Sequence, residues 1–261
     1  MRGGETSGFE VVCEIEPPTR PDLRHVRHQI GVLAPVASSF LVPDNHIGRA
    51  TVSSVAVAHE VAAMGERSIA CLNSRDRNLL GFRRDMLTAA AYGVREFLFA
   101  YGDKPTLGNR TSDLTVRAMI EETRRLGGDA AFRGCPPFRV GVAANLGPVP
   151  GWKRAADFVF AQMSFSAESL LRWRDSAALD VPVYAGVMVL ATASMAERLA
   201  ATIPDIEIPP DLVRRVAQDR RAGVDAACAL VEQLRDSGAF DGVHLVPVAR
   251  YREVALRLAD H

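Results

Sequence analysis

Residues 9–16 read Phe9-Glu10-Val11-Val12-Cys13-Glu14-Ile15-Glu16 and are followed by Pro17-Pro18. The β-branched and aromatic residues favour a strand, and the two prolines end it because they cannot continue a hydrogen-bonded ladder. The strand therefore delivers two carboxylates, Glu14 and Glu16, to its carboxyl end. Later apolar runs also end in polar side chains, at Asn73, Asp103, Asn145 and Gln162. Polar groups at several strand ends are typical of barrel enzymes, which build their sites there.

Runs with strand character alternate with runs of helical periodicity along the whole chain. We predict strands at 9–15, 38–43, 67–73, 96–101, 138–144, 158–164, 182–189 and 242–247. We predict helices at 22–33, 53–64, 78–92, 112–126, 167–179, 194–202, 211–237 and 252–260. This alternation predicts an α/β fold, a (β/α)8 TIM-type barrel. An open doubly wound sheet is the alternative, but its usual Gly-rich turn is absent after the first strand.

The connection between the fifth and sixth predicted strands breaks this alternation. It consists of residues 146–157, which include two prolines and two glycines. These residues leave room for about one helical turn. We therefore predict that the outer helix is missing or vestigial here.

Composition limits the class of protein. The chain has 261 residues, 48% hydrophobic and 24% charged, with a formal net charge of zero, which is typical of a soluble globular protein. We predict a disordered tail at residues 1–8, without the apolar core of a signal peptide, and a single barrel domain at 9–261. The absence of a long apolar run and of a basic patch predicts a cytoplasmic protein that binds neither membrane nor nucleic acid.

The cysteines do not form a recognisable motif. Cys13, Cys71, Cys135 and Cys228 lie far apart in the sequence without a Cys-x-x-Cys pair. This spacing predicts neither a disulfide framework nor a metal site. Three of them lie in apolar stretches, where we expect buried, inert thiols.

The polar strand ends resemble those of the methylenetetrahydrofolate reductases, from Phe9 to about Tyr251. That family's first strand ends in Glu, two residues and Pro-Pro, as Glu14 does here. The resemblance continues at the segments Ser74-Arg75-Asp76-Arg77-Asn78, Tyr101-Gly102-Asp103-Lys104-Pro105 and Ala161-Gln162-Met163-Ser164-Phe165, and at Arg250 after the last strand.

The resemblance implies an oxidoreductase that converts 5,10-methylenetetrahydrofolate to 5-methyltetrahydrofolate, a step of one-carbon metabolism and methionine biosynthesis. Opening the five-membered ring requires a proton on the departing nitrogen, and Glu14 is the expected general acid. Asp103 is the expected carboxylate that stabilises the cationic iminium. The remaining expected substrate contacts are Gln162, Phe165, Arg250 and Tyr101.

Departures from the family concern the cofactor. Typical members bind FAD partly through a His-Leu-Thr segment, which reads Cys71-Leu72-Asn73 here, and through a helix in the shortened region, of which Lys153 and Ala156-Asp157 remain. We expect that FAD is absent or weakly held, and that NADH or NADPH donates hydride directly; a reduced deazaflavin is the second choice. Cys71, Asn73 and Arg75 are the expected cofactor-binding residues, although Arg75 and Asp76 equally suit a structural ion pair.

Two alternatives stay open. The first is a conventional flavoprotein reductase that holds FAD through Asn73, Arg75, Trp152 and Lys153. The second is a barrel without catalytic activity that binds folate or a protein partner. The outer helix faces are compatible with a monomer or a homodimer.

Overall fold

The structure, a computed structural model, describes residues 8–203 and 206–259. The predicted disordered tail therefore lies outside the described residues except at Gly8. The chain forms eight strands in the described residues: β1 Glu10–Glu14, β2 Ser39–Val42, β3 Ser68–Asn73, β4 Glu96–Ala100, β5 Arg139–Ala144, β6 Phe158–Ser164, β7 Val183–Met188 and β8 Gly242–Val246. All pair in parallel with their neighbours, and β8 pairs with β1 to close the barrel. The predicted (β/α)8 barrel is confirmed.

Helices surround the barrel. They are α1 Arg24–Leu33, α2 Ser54–Ala63, α3 Leu79–Ala91, α4 Val116–Leu126, α5 Ala167–Ala177, α6 Ala193–Thr202, α7 Pro210–Gln218, α8 Ala222–Ser237 and α9 Tyr251–Ala259. Short 3-10 helices lie at His46–Gly48, Ala130–Phe132, Gly151–Ala155 and Val248–Arg250. Among the described residues no helix is long and apolar enough to cross a membrane.

The predicted gap in the helical layer is confirmed. Between β5 and β6 the chain forms only the 3-10 helix Gly151–Ala155. Lys153 in this turn donates a hydrogen bond to the carbonyl of Ala143, at the end of β5, over 2.6 Å. The segment is thus tied to the barrel by a side chain where a helix usually packs.

Two predicted helices have different boundaries in the structure. The run predicted at 211–237 is broken into α7 and α8 because Asp219 adopts extended backbone angles. The first turn of α8 then meets the loop after β7: a Cβ on Gly223 would lie 2.0 Å from the carbonyl oxygen of Leu190. The helix predicted from residue 112 begins at Val116, where Thr115 accepts a capping hydrogen bond from the Ala118 N–H.

Side chains along each strand point alternately out of and into the barrel, so the strands separate two apolar layers. Outward side chains pack beneath the helices, whereas inward ones fill the barrel with Val12, Leu41, Ile69, Leu98, Phe158, Phe160 and Tyr184. In β1 this places Val11 and Cys13 outside and Val12 inside. Glu14, two residues after Val12, therefore points into the carboxyl end of the barrel.

The amino end of the barrel is closed by an ionic network that we call the amino-end network: Glu10, Arg67, Glu96, Arg139 and Tyr184. Arg67 lies between the two acids, 2.8 Å from Glu10 and 3.3 Å from Glu96. Arg139 pairs with the second carboxylate oxygen of Glu96 at 3.1 Å. The hydroxyl of Tyr184 donates to Glu10 over 2.5 Å. Each side chain of the network thus has a partner.

Candidate active site

Glu14 and His244 form the central pair of the candidate site. Strands β1 and β8 are neighbours, with Val12 in register with His244. This pairing brings Nε2 of His244 to 3.0 Å from Oε2 of Glu14. The His244 side chain is 7% exposed and that of Glu14 16%, so both lie inside the barrel mouth. Phe160 packs along the imidazole, with ring centroids 5.1 Å apart and planes inclined by 34°. The pair is therefore held by the barrel interior.

His244 was not among the residues expected from the sequence. It lies 230 positions from Glu14, and sequence patterns do not predict contacts at that distance. The available signal was a single polar residue in the otherwise apolar strand Gly242–Val246. Glu16, in contrast, is exposed and does not join the pair.

Asp44 is a second residue of the barrel mouth that was not predicted from the sequence. Its carboxylate accepts hydrogen bonds from the backbone and side-chain nitrogens of Asn73, at 2.9 and 2.7 Å, and it pairs with Arg77. The oxygen of the Asn73 amide accepts from the N–H of Asp76 at 2.9 Å. Both ends of the Asn73 side chain are thus engaged within the protein. Asp44 lies two residues after the end of β2, so the pattern of a polar strand end that identified Asn73 also applies to it.

The expected residue Cys71 lies on the same face of β3 as Asn73. Burial raises the pKa of its thiol, and the charges of Asp44 and Glu14 raise it further. The thiol therefore stays protonated at neutral pH, and Cys71 presents a neutral group to the barrel mouth.

Arg75 is buried in the turn after β3. Its Nε donates to Asp76 at 2.5 Å, and its Nη2 pairs with the other oxygen of the same carboxylate. Burial opposes ionisation of Asp76, but hydrogen bonds from Arg75 and Asn45 outweigh burial and lower its pKa to about 2. The structural ion pair that the sequence left open is therefore present.

The loop after β4 carries two further expected residues, Tyr101 and Asp103. Both line a cavity of about 460 Å³, together with Arg75 and Arg110. Oδ2 of Asp103 accepts a hydrogen bond from the backbone N–H of Ile47 at 3.0 Å. The structure thus brings Asp103, Tyr101 and Arg75 together on one side of the barrel mouth.

Backbone strain accompanies the contact of Asp103. Ile47 has a φ of +55°, an uncommon conformation for a β-branched residue. The neighbouring Gly48 accepts hydrogen bonds from the backbone N–H and the hydroxyl of Thr106, at 2.9 and 2.8 Å. The loops after β2 and β4 are therefore fastened together at the position that orients Asp103.

Gln162 lies on another side of the barrel mouth. A shift in the pairing of β6 with β7 falls between Phe160 and Met163, and Gly186 permits it, since a Cβ there would lie 2.6 Å from the Ala161 carbonyl oxygen. Gln162 lines a second cavity, of about 540 Å³, with residues of α5 and the loop after β5. Asn145, the polar end of β5, lines the same cavity.

The other two expected substrate contacts lie apart from these cavities. Phe165 is partly buried against an apolar cluster beneath α6 and α7 that includes Leu190 and Leu212. Arg250 follows β8 and pairs with Glu253 at 3.1 Å. The described residues contain no group of three or more His, Cys, Asp or Glu side chains placed to hold a metal ion.

Comparison with known proteins gives a match to one family model over part of the chain and a shared fold with solved structures. The family model of methylenetetrahydrofolate reductase matches residues 152–257. No curated protein matches the chain.

Three solved structures share the fold at low identity. A protein from Clostridium thermocellum that binds two copies of 5-methyl-5,6,7,8-tetrahydrofolic acid is 12% identical, with a TM-score of 0.64, and the match covers 97% of this chain and 94% of that one. Apo-MsnO8 is 14% identical, with a TM-score of 0.58 and coverages of 97% and 96%. The EDTA monooxygenase of Chelativorans is 11% identical, with a TM-score of 0.55 and coverages of 96% and 94%.

Proposed function

We propose that the chain belongs to the methylenetetrahydrofolate reductase family, whose model matches residues 152–257, and that it reduces 5,10-methylenetetrahydrofolate to 5-methyltetrahydrofolate. In this proposal a nicotinamide dinucleotide supplies the hydride directly. The substrates are thus a folate and NADH or NADPH, and the reaction takes place in the cytoplasm. Its product carries the methyl group that methionine synthesis requires.

The observation that carries the proposal is the Glu14 carboxyl group inside the barrel mouth, 3.0 Å from His244. In the proposed reaction Glu14 gives a proton to the departing ring nitrogen, and that nitrogen keeps the electron pair of the broken C–N bond. The methylene carbon is left as a cationic iminium and accepts the hydride. Because His244 is held by the barrel, it fixes the orientation of the carboxyl group and exchanges its proton.

In the proposed reaction the carboxylate of Asp103 stabilises the iminium cation. It lies on a loop that is fastened to its neighbour through Ile47 and Thr106. A carboxylate fixed before the reaction stabilises the iminium cation without reorganisation during the step. Gln162 offers an amide donor and acceptor to the pterin edge from the opposite cavity.

Two of the residues expected to hold FAD, Asn73 and Lys153, already make hydrogen bonds within the protein. Lys153 donates to a main-chain carbonyl, and Asn73 is hydrogen-bonded to Asp44 and Asp76. The short 3-10 turn Gly151–Ala155 also replaces the helix that other members use. These features support direct hydride transfer, and no step of the proposal passes through a flavin.

The test begins with an absorbance spectrum of the purified protein. The same sample is then mixed anaerobically with NADH or NADPH and methylenetetrahydrofolate, without added flavin. We expect a colourless protein that oxidises the nicotinamide and forms 5-methyltetrahydrofolate. A flavin absorbance band, or turnover only after FAD is added, would contradict direct transfer.

A barrel that binds folate without catalysing its reduction is the second candidate. The structure from C. thermocellum, which binds a 5-methyl folate, favours it by analogy of fold. Absence of turnover with every donor, together with measurable affinity for 5-methyltetrahydrofolate in calorimetry, would support this candidate instead.

A further inference from the structure

The cavity between the turn after β3 and the loop after β4 has an excess of positive charge. Among the residues that the structure describes, its lining contains three cations, Arg75, Lys104 and Arg110, against one carboxylate, Asp103. Asp76, which pairs with Arg75 from outside the lining, still leaves the cations in excess. The proposed reaction steps use none of these cations. A concave site with a positive potential attracts anionic ligands.

Arg75 contributes a buried donor without a partner. The side chain is 2% exposed, and Asp76 occupies its Nε and Nη2. Its Nη1 is also buried, and it has no hydrogen-bond partner within the described part of the chain. A buried donor that stays unpaired destabilises the fold, so it calls for an explanation. An anionic oxygen in the cavity would satisfy it.

The backbone builds the cavity around this arginine. The Arg75 N–H donates to the Tyr101 carbonyl at 3.2 Å, and the Thr111 N–H donates to the Arg75 carbonyl at 2.7 Å. Gly102 follows Tyr101 and has a φ of +95°. A Cβ at this position would lie 2.9 Å from the Cβ of Asn73 and 3.4 Å from Cζ of Arg75. Glycine thus allows the loop to close against the guanidinium, which is a fixed part of the wall.

The other two cations lie on the same loop. Nη1 of Arg110 donates to the hydroxyl of Tyr101 at 2.9 Å, which holds its guanidinium at the wall. The backbone at Lys104 is fastened by close approach to Gly48, where a Cβ would lie 2.0 Å from the Lys104 carbonyl oxygen. Asp103, the one acid, has its Oδ2 bound by the Ile47 N–H.

We infer that this cavity is the subsite for the pyrophosphate of the nicotinamide dinucleotide that donates the hydride. The inference rests on the proposed function. A pyrophosphate carries two negative charges and several acceptor oxygens, which match the free Nη1 of Arg75 and the side chains of Lys104 and Arg110. The same loop carries Asp103, so the subsite lies beside the carboxylate assigned to the folate cation.

The test measures binding of ADP, which contains a pyrophosphate, by calorimetry in the absence of folate. The variant Lys104→Gln/Arg110→Gln removes the two loop cations, and Arg133→Gln is the matched control, an exposed arginine outside the cavity. We expect the double variant to bind ADP about tenfold more weakly, as loss of charge-assisted bonds predicts, and the control to bind as the unaltered protein does. In turnover, the KM for the nicotinamide should rise in the same variant while the KM for folate stays unchanged.

Arg75→Lys tests the buried donor separately. Lysine keeps the charge but loses the guanidinium fork, so ADP affinity should fall although circular dichroism shows a folded protein. Absence of ADP binding, equal ADP affinity in the double variant, or a rise in the KM for folate alone would overturn the inference. So would a loss of affinity for FAD with unchanged affinity for NADH. Weaker ADP binding in a protein that never reduces folate would support the subsite and reject the reductase function.

Discussion

The two ends of the barrel differ in how completely their charged residues are paired. At the amino end, Glu10, Arg67, Glu96 and Arg139 neutralise one another in the amino-end network. At the carboxyl end, Asp103 is exposed, and Arg75 keeps a donor without a partner among the described residues. Satisfied charges close a barrel and stabilise it, whereas incompletely satisfied ones are available to a ligand.

The same strands serve both ends. In β1, Glu10 and Glu14 point to the same interior four residues apart, yet one pairs with arginine and tyrosine and the other with histidine. The hydroxyl and the guanidinium beside Glu10 lower the pKa of that carboxyl group, whereas the partner of Glu14 is an imidazole. Two carboxylates of one strand therefore differ in the side chains that hold them.

Glu14→Gln should have the largest effect on activity. The amide retains a hydrogen bond to His244 but cannot supply the proton, so kcat should fall about 10²- to 10⁴-fold while folate affinity is retained. Steady-state kinetics and folate calorimetry measure the two quantities. Glu16→Gln, at an exposed position, is the matched control and should leave both unchanged. Equal turnover in Glu14→Gln would reject Glu14 as the acid.

His244→Asn should have a smaller effect on kcat, about tenfold, because it removes the partner that orients the carboxyl group. The pH profile of kcat should change, and the double variant with Glu14→Gln should lose little more than Glu14→Gln alone, since the two residues act as a unit. A fully additive loss in the double-mutant cycle would show that His244 acts independently.

Arg67→Met addresses the opposite end of the barrel. Its side chain is 50% exposed, so loss of its two ion pairs should lower the free energy of unfolding by only about 1 kcal/mol. Urea denaturation measures this, and kcat and both KM values should stay unchanged. A change in kcat would indicate that the amino-end network is coupled to the site.

Tyr184→Phe should lower the free energy of unfolding as little as Arg67→Met does, and the loss should depend on pH. Burial opposes ionisation of Glu10, but hydrogen bonds from Tyr184 and Arg67 outweigh burial and lower its pKa below the usual 4.5. A lowered pKa stabilises the folded state above pH 4.5, and this contribution disappears as the pH falls through the folded-state value.

Tyr184→Phe should therefore cost about 1 kcal/mol at pH 7 and less near pH 3. Urea unfolding of both proteins across this pH range measures the difference. At alkaline pH the stability of the unaltered protein should fall with rising pH. Burial and the bond to Glu10 raise the pKa of Tyr184, so above the usual value of 10.0 the unfolded chain loses this proton more easily than the folded protein does. The variant has no hydroxyl at this position and should not show this fall. A cost that does not depend on pH would remove the proposed link.

Much of the fold was predictable because its signals are local. Alternating strand and helix periodicity predicted the barrel, and two prolines and two glycines within twelve residues predicted the missing helix. The break between α7 and α8 was not predicted: the backbone is extended at Asp219, and Gly223 then meets the carbonyl group of Leu190 in the loop after β7. Helical periodicity continues through Asp219 and gives no sign of that contact.

The sequence by itself determined the barrel and placed Glu14, Asp103 and Gln162 at its carboxyl end, since each depends on residues next to it in the chain. The tertiary structure alone decided that Glu14 meets His244, that Arg75 is buried with a free donor and that Ile47 holds Asp103. These contacts join strands and loops that are distant in sequence. They arise from closure of the barrel, which brings the end of β1 beside β8 and the loop after β2 beside the loop after β4.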